Sequence, residues 1–178
     1  MLAIYRRHIR RGVDESIEEY DPLQPDDLRR RRKNMRNHHL PHLVATRDGV
    51  LVGYAYAVLF RKRPAYVYTA KHSIDVHHEH LREGIGRVLL PALIDACAAA
   101  GFRQMIGYID SANVASLELR RKFGFRNVGV PTSVGFRYSR WSDSIMVQRS
   151  LGPGNSSPPG TLAVVDVVSV SALHKTDI

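Results

Sequence analysis

The sequence predicts one domain of mixed α/β class. Two observations carry that prediction. As far as residue 151, β-prone runs alternate with runs of helical periodicity, and Gly, Asp and Pro punctuate the joins. The full chain of 178 residues with 44% hydrophobic content can also bury one sizeable core but hardly two.

Residues 2–12 mix four arginines with apolar positions, so the chain enters a first helix within a few residues of Met1. Residues 25–39 open on Pro25-Asp26-Asp27 and pass through Leu28 into the basic run Arg29 to Lys33. Carboxylates suit the positive end of a helix dipole, so this stretch predicts a helix with its basic run as a solvated face. Residues 42–46 and 51–60 are apolar and β-prone around Arg47-Asp48-Gly49, a hairpin signal, and a third strand covers 66–76.

Between residues 84 and 100, Ile85, Leu89, Leu93, Ala96 and Ala100 recur at helical spacing. Pro91 removes a backbone donor inside that run and predicts a bend. Residues 102–109 read as a strand and 113–123 as a helix ended by Gly124, with 125–138 and 141–148 as a final antiparallel pair. After Leu151 comes Gly-Pro-Gly-Asn-Ser-Ser-Pro-Pro-Gly, a linker that continues neither regular structure. The domain is therefore expected to span 1–151. Residues 152–178 are expected to be linker and disordered tail, although 163–170 are apolar enough to add a strand.

A net charge of +9 and a pI near 10.0 point to an anionic partner: a nucleic acid, a membrane surface or a phosphorylated cofactor. No aromatic-basic interleaving or binding motif supports a nucleic acid. No signal-peptide core and no run of about 18 apolar residues supports a membrane. Cys97 is the single cysteine, so no internal disulfide and no Cys-x-x-Cys metal site exists. A soluble cytoplasmic protein with no metal is the expectation.

The informative segment is Ile74-Asp75-Val76-His77-His78-Glu79-His80-Leu81-Arg82-Glu83-Gly84-Ile85-Gly86-Arg87, a strand that runs through a polar loop into a helix. The first amides of a helix lack partners inside it and sit at the positive end of its dipole, which suits a diphosphate. Gly84 and Gly86 leave the backbone open to an anion, and Arg82 and Arg87 flank it with charge. Alone, a Gly-x-Gly before a helix is equally a bare turn.

In context the segment resembles the Gln/Arg-x-x-Gly-x-Gly/Ala loop that cradles the CoA pyrophosphate in the GNAT superfamily of N-acetyltransferases, with Leu81 in place of the polar first residue. Asn113-Val-Ala-Ser116 and Phe123-Gly124-Phe125 resemble that family's Asn-x-x-Ser helix ending in Gly-Phe. The resemblance implies a mostly antiparallel central sheet, splayed to admit acetyl-CoA and flanked by helices. It also implies that Ile74, Asp75, Val76 and the loop Arg82, Glu83, Gly84, Ile85, Gly86 and Arg87 bind the co-substrate. Asn113 and Ser116 would lie beside its pantetheine arm. A helix N-cap and a small packing residue are the other readings of that pair.

Over roughly residues 4–151 the chain is similar to the phosphinothricin N-acetyltransferase group, which acetylates small amino-acid-like amines. Tyr54-Ala55-Tyr56-Ala57, Arg61-Lys62-Arg63-Pro64-Ala65-Tyr66 and Val134-Gly135-Phe136-Arg137-Tyr138 with Trp141 and Asp143 carry the likeness. It implies Arg61, Arg63 and Tyr66 as substrate ligands, the arginines being otherwise surface charges. A small-molecule amine is the expected partner, and a homodimer fits.

Besides Leu81, four features depart from the family. The first strand is missing. Lys71 replaces the group's proposed general base, a Glu. Arg120 stands where the group can carry His. Phe123 occupies the place assigned to a Tyr that protonates the leaving thiolate. Strand alternation puts Lys71, Ser73 and Asp75 on one face, with Asp75 about 13 Å along the strand from Lys71, so Asp75 would reach the amine through water. Lys71 and Asp75 are the candidate catalytic residues, with the thioester carbonyl held by a backbone amide near Val76. A CoA-binding domain without catalysis is the alternative, ahead of a nucleic-acid binder.

Overall fold

The computed structural model describes residues 4, 26, 29, 30, 33, 40–137, 139–161 and 168–171. Residues 4, 26, 29, 30 and 33 are helical, while the remainder of both N-terminal helix expectations lies outside the described residues. Strands β1 (His42–Arg47) and β2 (Val50–Leu59) form the expected hairpin. Its turn places Asp48 and Gly49 at φ 50° and 76°, the left-handed pair that matches strand twist. Strand β3 covers Thr69–Val76, starting later than expected because Pro64–Tyr66 closes a 3-10 turn.

Helix α1 (Ile85–Ala99) buries Ile85, Leu89, Leu90, Leu93, Ile94 and Cys97 on the sheet, and it continues through Pro91. A Cβ on Gly53 of β2 would stand 2.9 Å from Ile85 Cγ2 and 3.2 Å from Leu89 Cδ1, so that glycine sets how closely α1 seats. Full burial of each leucine contributes roughly 2 kcal/mol. Strand β4 (Gln104–Asp110) and helix α2 (Val114–Lys122) follow.

The expected final pair is broken into two units. Strand β5 (Arg126–Gly129) pairs with β8 (Ser144–Ser150), whereas β6 (Gly135–Arg137) and β7 (Arg140–Ser142) make a separate hairpin. Pro131, without an N–H, ends the first pairing, and its carbonyl accepts from Ser144 N–H at 2.9 Å. The tail also differs from expectation. Strand β9 (Val168–Ser171) pairs in parallel with β1, and Arg103 fastens the intervening linker through the carbonyls of Gly154 and Pro158. The outer edge of β1 is thus paired, which satisfies backbone groups that an open edge would expose.

The sheet order is β5-β8-β4-β3-β2-β1-β9, mostly antiparallel. β3 and β4 run parallel, and they pair only from Thr69↔Gln104 to Lys71↔Ile106. β2 nevertheless follows β3 to Val76, and β8 follows β4 to Asp110. The two central strands therefore part after Lys71 and Ile106 and leave a wedge in the sheet. Among the described residues no helix is long and apolar enough to cross a membrane.

Candidate active site

The wedge opens toward the loop that joins β3 to α1. His77 N–H bonds Val52 O at 2.8 Å, and His78–His80 form a 3-10 turn. The chain then turns at Arg82 (φ 63°) and Gly84 (φ 82°), and Gly84 caps α1. Arg87 and Val88 N–H both return to Gly84 O, at 2.8 and 3.2 Å. The amides of Ile85 and Gly86 precede any carbonyl the helix can offer them, so they face outward as donors. Gly84 needs its left-handed φ, whereas Arg82 adopts one at a steric cost.

An acidic residue in an anion loop should oppose binding, but Glu83 is tied elsewhere. Its carboxylate accepts from Arg47 Nη1 at the end of β1 and lies 2.9 Å from His80 Nδ1. The hairpin thus neutralises Glu83 and anchors the loop. Arg82 and Arg87 remain exposed beside it. Gly86 has a packing reason besides the expected one. A Cβ there would meet Leu119 Cδ2 at 2.9 Å, so Gly86 lets α2 pack on α1.

The point where β3 and β4 part is occupied by a buried network. His72 is 4% exposed; its Nδ1 lies 2.8 Å from Ile106 O, and its Nε2 accepts from Arg120 Nε at 3.1 Å. A carbonyl beside Nδ1 and a guanidinium beside Nε2 require the neutral tautomer with its proton on Nδ1. Burial, reinforced by the Arg120 charge, lowers the His72 pKa to about 3. His72 is therefore a fixed neutral strut and no general base at neutral pH.

Arg120, 6% exposed, also donates through Nη1 to Ser116 O at 3.2 Å and to Ser116 Oγ. Asn113 caps α2 by accepting Ser116 N–H at Oδ1, 3.1 Å. Both capping and packing readings of Asn113 and Ser116 are thus realised, on the helix face that meets the wedge. At the other end of α2, Phe125 N–H reaches Arg120 O and Gly124 N–H reaches Arg121 O, with Gly124 left-handed at φ 77°. That reversal lays the Phe125 ring 5.0 Å from the His72 ring.

Ile74 and Val76 share the helix-facing side of β3 with His72. Lys71, Ser73 and Asp75 share the other, where their cross-strand partners are Val58, Tyr56 and Tyr54. Tyr54 stacks between His42 and Tyr56, with ring centroids 6.5 and 6.3 Å away. Asp75 is 2% exposed and Lys71 half-buried. Arg61, Arg63 and Tyr66 lie at the opposite end of β3 from the anion loop. The Arg61 guanidinium sits 5.2 Å from the Phe60 ring centroid and 5.3 Å from that of Tyr66, while Arg63 is exposed where the 3-10 turn begins.

Gly107, His72 and the Arg47–Glu83 pair are the parts the sequence reading missed. A Cβ on Gly107 would lie 2.5 Å from His72 Cε1, so the ring occupies the space a side chain would need. An isolated glycine within the apolar strand Met105-Ile106-Gly107-Tyr108-Ile109 is a recognisable signal of such close approach. Nothing local pairs Arg47 with Glu83, which are 36 residues apart.

Outward amides at α1, the left-handed Gly84 and a wedge of strand edges beside them fit an extended ligand headed by a diphosphate. Comparison with known proteins agrees. Residues 7–125 match the acetyltransferase (GNAT) family. The chain is 41% identical over 162 residues to a phosphinothricin N-acetyltransferase of Alcaligenes faecalis, covering 89% of this chain and 80% of that one. It is 37% identical over 111 residues to an L-methionine sulfoximine/L-methionine sulfone acetyltransferase of Salmonella typhimurium, covering 62% and 65%. A GNAT superfamily phosphinothricin acetyltransferase from Sinorhizobium meliloti, crystallised in complex with AcCoA, superposes with a TM-score of 0.84 at 35% identity, over 89% of this chain and 85% of that one. The chain belongs to the GNAT acetyltransferase family. Acetyl-CoA is the co-substrate of that family.

Proposed function

We propose that this enzyme acetylates the amine of a small amino-acid-like substrate bearing a further acidic group, of the phosphinothricin or methionine sulfone kind. The observation that carries the reading is the wedge between β3 and β4 opening onto the anion loop, with Arg63 and Tyr66 at the far end of the same strand. Acetyl-CoA supplies an activated acyl group. Arg82, Gly84, Ile85, Gly86 and Arg87 hold its diphosphate, with Glu83 as the loop's anchor. The edge of Ile74, Asp75 and Val76 receives the arm, Asn113 and Ser116 border it, and a β3 amide near Val76 holds the thioester carbonyl.

Arg63 offers a planar donor pair to a carboxylate or phosphinate, with Tyr66 beside it, while Arg61 adds charge from its place on the rings. The attacking amine must first lose a proton. Lys71 as a cation accepts none, so the proton leaves through water toward Asp75, and the rate rises with pH toward the amine's own pKa. The sheet domain, with the tail strand β9 as its edge, carries the reaction in the cytoplasm as a homodimer, with no nucleic acid or membrane as partner.

Acetyl transfer followed through thiol release, using phosphinothricin, methionine sulfone, methionine sulfoximine and a polyamine without an acidic group, tests the assignment. The acidic amino-acid analogues should give the highest kcat/KM. A preference for the polyamine would refute the substrate class. Tight acetyl-CoA binding with no acetylated amine would establish the non-catalytic CoA-binding reading, which Lys71 favours.

A further inference from the structure

We propose that His77, His78 and Glu79 form a binding site for a divalent transition-metal ion of the Zn2+ kind. Among the described residues these three are the group whose donor atoms converge, all lying within 4.8 Å of one another. The assignment stands independently of the acetyl-CoA reading, which gives none of the three a part.

In an extended strand consecutive side chains point to opposite faces, so His77 and His78 could not share an ion if β3 simply continued. The chain turns instead. His77 N–H bonds Val52 O at 2.8 Å, and His80 N–H bonds His77 O at 2.9 Å. The 3-10 turn His78–His80 brings the rings of His77 and His78 within 4.4 Å, centroid to centroid. Both residues are partly buried, so much of their freedom is lost before any ion arrives. Glu79, in the same turn, sets one carboxylate oxygen 3.9 Å from His77 Nδ1 and the other 3.9 Å from His78 Nε2.

An ion of this kind, with bonds of about 2.1 Å, holds its donors about 3.4 Å apart in a tetrahedron. Glu79 is exposed, and a rotation of its carboxylate with small ring rotations closes the difference. The Glu79 amide donates to His77 Nδ1 at 3.4 Å, a long bond that a metal replaces. The donor set also selects the ion. Two imidazoles and one carboxylate suit Zn2+, Co2+ or Ni2+, whereas Mg2+ and Ca2+ take oxygen ligands. Three protein ligands leave a position for water. Cys97 is buried in α1 and takes no part, so the missing Cys-x-x-Cys spacing excludes a thiolate site and not this one. His80 stands beside the site, its ring 5.7 Å from that of His77, but its Nδ1 is engaged by Glu83, which Arg47 holds in turn.

Calorimetric titration with Zn2+ tests the site on the untagged full chain, without CoA, whose thiol binds the metal. The variants are His78→Ala, Glu79→Gln and a double variant, His38→Ala with His39→Ala, which removes the other adjacent histidine pair in the sequence. His77 is left in place because it caps the turn. The native chain should bind Zn2+ with a Kd below about 100 μM that excess Mg2+ leaves unchanged. His78→Ala should weaken binding at least tenfold and Glu79→Gln several-fold, while the double variant keeps the native affinity. Co2+ offers a readout that needs neither site variant to fold. On the native chain and the double variant it should give visible d–d absorption without a thiolate charge-transfer band. A native Kd above about 100 μM, native affinity retained in His78→Ala, a thiolate band with Co2+, or loss of binding in the double variant would each overturn the proposal.

Discussion

Strand β3 carries a loop at each end, and the two are built by different means. The loop after Val76 is fixed by the backbone and by buried or half-buried partners: His77 on Val52, Glu83 between Arg47 and His80, Gly84 at φ 82°, and Gly86 against Leu119. The loop before Thr69 presents Arg61, Lys62 and Arg63 to solvent, and its 3-10 turn starts at Arg63 without a side-chain cap. A diphosphate is the same in every turnover and can be met by groups the fold already needs. The amine is what distinguishes one acetyltransferase from another, and in the proposed function it falls to side chains that stability does not require. Mutations at the first end should cost folding and binding together, and mutations at the second should cost substrate recognition alone.

The largest effect is expected at Gly86. Gly86→Glu forces a long charged side chain toward Leu119, where even a Cβ is too close, and should destabilise the fold by about 3 kcal/mol while abolishing acetyl-CoA binding. Gly86→Ala asks only the end of Leu119 to shift and should cost about 1 kcal/mol. Urea melts and calorimetry measure both. A stable Gly86→Glu protein that has merely lost affinity would mean the glycine serves the anion directly.

Gly107→Ala comes next. The added methyl meets the His72 ring at 2.5 Å, and two hydrogen bonds keep that ring from stepping aside. A loss of about 2 kcal/mol, with weaker CoA binding because Arg120 and Ser116 move with the ring, is the expected outcome. Unchanged stability would show the network to be looser than its geometry.

The same contrast explains what the sequence disclosed. The mixed α/β order, the β1–β2 hairpin, α1 and the anion loop are written in local patterns, because alternation, helical spacing and Gly-x-Gly each depend on neighbours in the chain. The His72–Arg120 bond joins residues 48 apart, and the Arg47–Glu83 pair 36 apart, so no local pattern could announce them. Gly86 illustrates a subtler gap. Its position in the loop is legible, but its packing role lies against a helix more than thirty residues downstream. The apolar run that holds strand β9 is short and follows a Pro-rich linker, so its composition favours a disordered tail over a stray strand, and it is the edge of β1 that gives the strand its place.

A smaller effect follows from His72. Its folded pKa of about 3 lies below the ordinary 6.5, so the native state keeps it neutral while the unfolded chain takes up a proton. Between those values the unfolded state binds more protons, and stability falls as pH falls. The decline should approach roughly 1 kcal/mol per pH unit below about 6. Urea melts at pH 7, 6 and 5 measure it, and His72→Gln should flatten that part of the profile while lowering stability at pH 7. A native profile already flat from pH 6.5 to 5 would contradict the strut assigned to His72.

Arg63→Ala should have the least effect on the fold and the most selective effect on function. Its side chain is exposed and its backbone merely opens a 3-10 turn, so the melting transition should shift by no more than about 0.5 kcal/mol. If the guanidinium holds the acidic group of the amine equally in ground and transition states, removing it raises KM for the amine about tenfold and leaves kcat and the KM for acetyl-CoA unchanged. Arg61→Ala should do less, because Arg61 is already spread over Phe60 and Tyr66 and contributes charge more than geometry. An amine lacking the acidic group should be indifferent to either change. Equal losses for amine and acetyl-CoA in Arg63→Ala would erase the distinction between the two ends of β3, since the loop before the strand would then support the cofactor end as well.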